Sequence, residues 1–164
     1  MKGPEVSLKH LQRAVTMELT TVNTYELQAA KLRDWGVDQL ADRMSEEVEE
    51  ERGHFHRFLD RLLFLEGEAN VHDLDPIGQD DTIRAMFETQ LKMENEARDY
   101  YDKAAREARD AGDLGTFDLF RSILKDEEEH IDFVETQFDL MKLMGDQLYV
   151  SRQVSSTAEQ DDDD

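Results

Sequence analysis

Four segments of the chain set apolar residues at alternating steps of three and four, the spacing that lines one face of an α-helix. The seams include Leu8, Leu11, Val15, Val22, Ala29 and Leu32; then Leu40, Met44, Phe58, Leu62 and Leu65. A third joins Ile83, Phe87, Ala97, Tyr101 and Ala108, and a fourth Phe120, Ile123, Val134, Met141 and Met144. Each face needs a partner to bury it, so an all-α four-helix bundle is predicted. Only two prolines and eight glycines interrupt the 164 residues, in keeping with long helices. The connections at 34–38 and 111–115 are short, which makes helices one and two, and three and four, antiparallel neighbours. Residues 66–81, with Gly67, Asn70, Pro76 and Gly78, are long enough to cross over along the bundle between helices two and three. A short fifth helix is expected over 146–154, closing a single domain at residues 1–154. The polar end, 155–164, finishes in four aspartates and reads as an acidic disordered tail.

Composition removes whole classes of function. With no cysteine there are no disulfides, thiolate metal sites, iron–sulfur clusters or thiol nucleophiles. A net charge of −21 argues against nucleic acid as a partner and favours cations. No apolar run reaches the roughly 18 residues of a membrane span, and the start, Met1-Lys2-Gly3-Pro4-Glu5, lacks a signal-peptide core. A cytoplasmic protein is expected.

Six residues on the seams do not belong in an ordinary core: Glu18, Glu51, His54, Glu94, Glu127 and His130. A buried carboxylate must be paired or neutralised. Four converging carboxylates would repel one another, whereas two divalent cations balance their charge and two imidazoles complete the coordination. Glu51 and His54, and Glu127 and His130, are Glu-x-x-His pairs that each project from one helix face. Glu18 lies 33 positions before Glu51, and Glu94 lies 33 before Glu127, so one helical pair repeats the other's ligand set at an offset of 76. Tyr25 and Tyr101, and Glu50 and Asp126, obey the same offset. This is the arrangement known for ferritin-like di-metal carboxylate proteins. The donor set suits iron or manganese, with zinc a competitor. Two metals roughly 3.5–4 Å apart can act jointly on a small substrate such as dioxygen or peroxide. By contrast, His10, His56 and His72 lack an acidic partner at ligand spacing and are expected on the surface or in loops. The run from Glu46 to Glu51 reads mostly as a solvated face.

Over residues 1–150 the sequence resembles the bacterioferritin family. The resemblance is carried by Met1-Lys2-Gly3, Trp35-Gly36, Phe64-Leu65-Glu66-Gly67 and Asp126-Glu127-Glu128-Glu129-His130-Ile131-Asp132, with the ligand spacing preserved. It implies a ferritin-like di-iron domain and storage of ferric mineral in a 24-subunit homo-oligomeric shell built from two-fold dimers. Its ferroxidase centre would oxidise Fe(II) with O2 or H2O2. By the same resemblance Glu51 and Glu127 bridge the irons, Glu18 and His54 complete one, Glu94 and His130 the other, and Tyr25 lies beside them. Asp126 and Glu50 would orient the histidines. The family ligates haem b through a methionine directly after the first Glu-x-x-His glutamate, and here that position is Arg52. A guanidinium has no lone pair to give iron, which argues against haem in a homo-oligomer. A mixed shell with a methionine-bearing subunit would restore the ligand. The competing readings are a subunit of such a mixed shell, and a di-iron oxidase or peroxidase acting on another substrate.

Overall fold

The computed structural model describes residues 1–155, and all but the first residue of the acidic tail expected over 155–164 lies outside them. Four long helices carry the fold: α1 (Glu5–Asp34), α2 (Asp38–Phe64), α3 (Ile83–Asp110) and α4 (Leu114–Met144). A short α5 (Asp146–Ser151) follows, ending before the expected limit at 154. Among the described residues none of these helices is long and apolar enough to cross a membrane.

The two tight turns use one device. Gly36 and Gly112 adopt positive φ angles of 76° and 78°, which glycine reaches without a Cβ penalty. Behind them Val37 N donates to Leu32 O, and Asp113 N donates to Ala108 O, each at 2.9 Å, turning the chain directly into the next helix. Thr82 and Asp113 then cap α3 and α4 by accepting from the backbone N–H of Ala85 and Thr116. The principal packing pairs are α1 with α2 and α3 with α4, joined face to face through α1–α3 and α2–α4 contacts.

The long connection sets how the two pairs meet. Gly3 N donates to Leu65 O, so α2 ends where α1 begins. The crossover then runs back beside α1: Asn70 exchanges two 2.8 Å hydrogen bonds with Gln12, Asp75 N donates to Thr20 Oγ1, and Gln28 Nε2 donates to Asp80 Oδ2. It therefore delivers α3 to the far end of α1, and α3 returns antiparallel to it. α5 folds back on the bundle through buried Tyr149, whose hydroxyl donates to Gln137 Oε1 at 2.9 Å.

Two apolar clusters fill the interior. One joins Val22, Leu40, Met44, Phe87, Val134 and Met141. The other joins Leu11, Val15, Phe58, Leu62, Phe120 and Ile123. Between them lies a layer of buried polar side chains, which divides the core. Phe120 is fully buried between Phe58 and Tyr101, with ring centroids 4.9 and 5.6 Å away. Phe120→Ala is expected to cost about 3–5 kcal/mol by transfer and cavity terms, measured as a lowered denaturation midpoint at unchanged slope.

Candidate metal centre

Each long helix sends its polar seam residues into the dividing layer: Glu18 from α1, Glu51 and His54 from α2, Glu94 from α3, Glu127 and His130 from α4. All six are at most 6% exposed. They sort into two overlapping quartets, Glu18, Glu51, His54 and Glu127, and Glu51, Glu94, Glu127 and His130. Within each quartet the potential ligand atoms lie within 4.8 Å of one another. Glu51 and Glu127 are common to both, so the structure brings together all six residues picked out by spacing.

Both histidines turn Nδ1 inward and Nε2 outward. His54 Nδ1 is 3.2 Å from Glu51 Oε2 and 3.4 Å from Glu127 Oε1, while its Nε2 is 3.2 Å from Asp126 Oδ2. His130 Nδ1 is 2.8 Å from Glu51 Oε1, and its Nε2 is 2.8 Å from Glu47 Oε2 and 3.4 Å from Glu50 Oε2. Asp126 and Glu50 thus meet the outer nitrogens of the opposite half's histidines. The tyrosines also cross between halves. Tyr25 donates its hydroxyl to Glu94, and Tyr101 donates to Glu18.

Electrostatics shows what this layer lacks. Burial pushes the Glu18 carboxyl well above its usual range, and the neighbouring Glu51 charge adds to the shift. Glu127 is raised well above its usual range, and Glu94 is raised, by burial and then by Glu51. For Glu51 burial works in the same direction but is outweighed by His130 and His54, which hold it below the ordinary carboxylate range. His130 is pushed up to about 12, because Glu47 and Glu51 outweigh its burial. With no cation, protons must perform the neutralisation.

Many of these atoms remain unsatisfied. Both oxygens of Glu127, Oε1 of Glu51 and both ring nitrogens of His130 are buried without a hydrogen bond. Buried groups normally find partners. Converging, unsatisfied carboxylate oxygens and imidazole nitrogens are what a pair of cations would complete, and they fit iron, manganese or zinc.

Two expectations need correction. Glu47 is not part of a solvated run: it is 4% exposed, with Arg43 on one side and His130 on the other. Its place on the α2 seam, four residues before Glu51, was the available signal. His10 is not a surface residue either, being 4% exposed and bonded to Tyr100 and Glu107 on α3. His56 and His72 are exposed, as expected. Arg52 belongs to neither quartet; its Nη2 donates to Glu26 Oε1 at 2.9 Å and its Nε lies 3.5 Å from Glu49.

Comparison with known proteins agrees with this geometry. Residues 8–144 match the ferritin family model, described as a ferritin-like domain. The chain is 36% identical to bacterioferritin of Brucella melitensis over 149 residues, covering 91% of this chain and 92% of that one. It superposes on bacterioferritin BfrA of Mycobacterium tuberculosis with a TM-score of 0.93, at 33% identity and covering 94% and 98% of the two chains. For Rhodobacter capsulatus bacterioferritin, a structure described as having a metal-free dinuclear site and haem iron, the TM-score is 0.94 at 33% identity, covering 96% and 99%. The chain therefore belongs to the bacterioferritin family of ferritin-like proteins.

Proposed function

We propose that the chain is an iron-storage subunit that oxidises Fe(II) at the six-residue centre and deposits ferric mineral inside a 24-subunit shell of two-fold dimers. The observation that carries this reading is the pair of quartets sharing Glu51 and Glu127. On that basis Glu51 and Glu127 bridge two irons, Glu18 and His54 complete one, and Glu94 and His130 complete the other. Two bound ferrous ions supply one electron each to O2 or H2O2. The carboxylates neutralise the cations, exchanging their protons for metal as the site loads. Asp126, Glu47 and Glu50 hold the outer histidine nitrogens so that Nδ1 points inward. Tyr25 and Tyr101 fix Glu94 and Glu18 by donating to them.

The space beside the centre favours a small oxidant over an organic substrate. A cavity of about 10 Å³ is lined by Tyr25, Glu47, Gln90, His130, Phe133 and Val134, far under the ~300–1,000 Å³ typical of small-molecule pockets. This counts against an oxygenase or peroxidase of a larger molecule. Arg52, held by Glu26, offers haem no axial ligand, so haem b would require a mixed shell with a methionine-bearing subunit. A cytoplasmic location suits this role.

The direct test is anaerobic Fe(II) titration of the metal-free protein followed by an oxygen pulse. Saturation near two irons per chain and rapid ferric absorbance are expected, with both lost in Glu18→Ala or Glu94→Ala. Oxidation no faster than in buffer would overturn the ferroxidase reading.

The proton-for-metal exchange also predicts a pH signature. Glu18, Glu94 and Glu127 have raised values in the fold, so their stabilising contribution is complete below the ordinary value of 4.5 and is lost as pH rises through the folded values. His130, raised from 6.5 to about 12, acts in the same direction at higher pH. Glu51 is opposite in sign, its contribution being present above 4.5 and lost only at lower pH. The metal-free protein should therefore lose Tm as pH rises above 4.5, and two equivalents of divalent metal should flatten that loss in thermal scans.

A further inference from the structure

Two of the seven methionines keep the offset of 76 that relates the glutamates of the centre. Met17 directly precedes Glu18, and Met93 directly precedes Glu94. Both are half-buried, and both line one surface cleft of about 480 Å³ between α1, α3 and the crossover. Thr21 and Ala97, one turn beyond the two glutamates and again 76 apart, line the same cleft. The cleft therefore lies along the turns of α1 and α3 that carry Glu18 and Glu94, although neither glutamate lines it. Met44, Met86 and Met141, by contrast, are at most 2% exposed. Leucine fills core space about as well as methionine. What the thioether adds at positions 17 and 93 is a sulfur that can be oxidised.

The cleft suits a small neutral molecule that donates hydrogen bonds. Its charged side chains are paired: Arg13 lies 2.7 Å from Asp75, and Lys92 lies 3.9 Å from Glu96. Thr21 and Thr24 donate to the carbonyls of Met17 and Thr20 at 3.1 and 2.8 Å, and a hydroxyl oxygen that donates still has lone pairs to accept with. Hydrogen peroxide fits that description, and the ferroxidase reading supplies it. Two ferrous ions give one electron each to O2, which with two protons becomes H2O2. We infer that Met17 and Met93 form a paired oxidation site that takes an oxygen atom from this peroxide as it leaves the centre. The site rests on the ferroxidase reading with O2 as the oxidant. The thioether sulfur attacks one peroxide oxygen. An S–O bond forms as the O–O bond breaks, sulfur is oxidised by two electrons, and the second oxygen leaves as water with both protons. The product is methionine sulfoxide, which sulfoxide reductases convert back. Each chain thus removes two peroxide molecules, one per thioether, before they meet further Fe(II).

Peptide mass spectrometry of the assembled protein after repeated aerobic additions of Fe(II), with catalase in the buffer, tests this. One added oxygen is expected on Met17 and on Met93 ahead of Met1, which is 69% exposed and meets solution peroxide first. Iron oxidation with Met17 and Met93 unmodified, or with Met1 oxidised as fast, would overturn the paired site and leave the ferroxidase reading intact. Absence of iron oxidation would overturn both. Without catalase, the Met17→Leu/Met93→Leu double variant is expected to oxidise iron at the wild-type initial rate but to release more H2O2 per iron; unchanged release would overturn the site. Dilute H2O2 added to the metal-free protein gives a readout independent of turnover. Met17 and Met93 are expected to oxidise faster than Met144, which is also half-buried but packs against the other apolar cluster, and equal rates would overturn the site.

Discussion

Four carboxylates meet inside one helical core, and the rest of the architecture follows from how their charge is balanced. Carboxylates packed this closely cannot all ionise without countercharge. In the metal-free chain Glu51 keeps its charge against His54 and His130, while burial and that charge drive Glu18, Glu94 and Glu127 towards their neutral forms. Two divalent cations would replace that arrangement with one that leaves no orphaned oxygen. The apolar clusters on either side hold the layer in place, so the donor atoms stay assembled before any ion arrives. Such preorganisation limits the ordering that a metal has to drive.

The helical pairs differ at most positions, so the features they share mark what the centre requires. The offset of 76 relates the six central residues, the tyrosines beside them, the outer acids Glu50 and Asp126, and the turn glycines Gly36 and Gly112. Each half lends its tyrosine and its outer acid to the other half's ligands, as Tyr25 does to Glu94 and Asp126 to His54. Removing one helical pair would thus disrupt both quartets.

Much of this was legible in the sequence because helical periodicity reports which face a residue occupies. The seams identified the helices, the two turns and the crossover, and polar residues on an apolar seam marked the central six. Periodicity reports neither depth nor the partner across an interface. Glu47 lies on the α2 seam within a glutamate-rich run, and only the proximity of α4 reveals that it meets His130. His10 looked solitary because its partners, Tyr100 and Glu107, are about ninety residues away and reach it only through the return of α3 along α1. The end of α5 was also beyond reach: six residues are too few to display a period, and Tyr149 is its single buried anchor.

The central claim is that the layer dividing the core holds two metal ions through Glu18, Glu51, His54, Glu94, Glu127 and His130. X-ray diffraction at the iron absorption edge, from crystals loaded anaerobically with Fe(II), tests it most directly. The account predicts two anomalous peaks per chain roughly 3.5–4 Å apart, each between the helices and both touching Glu51 and Glu127. A single peak there, or iron found only on the acidic surface, would contradict it.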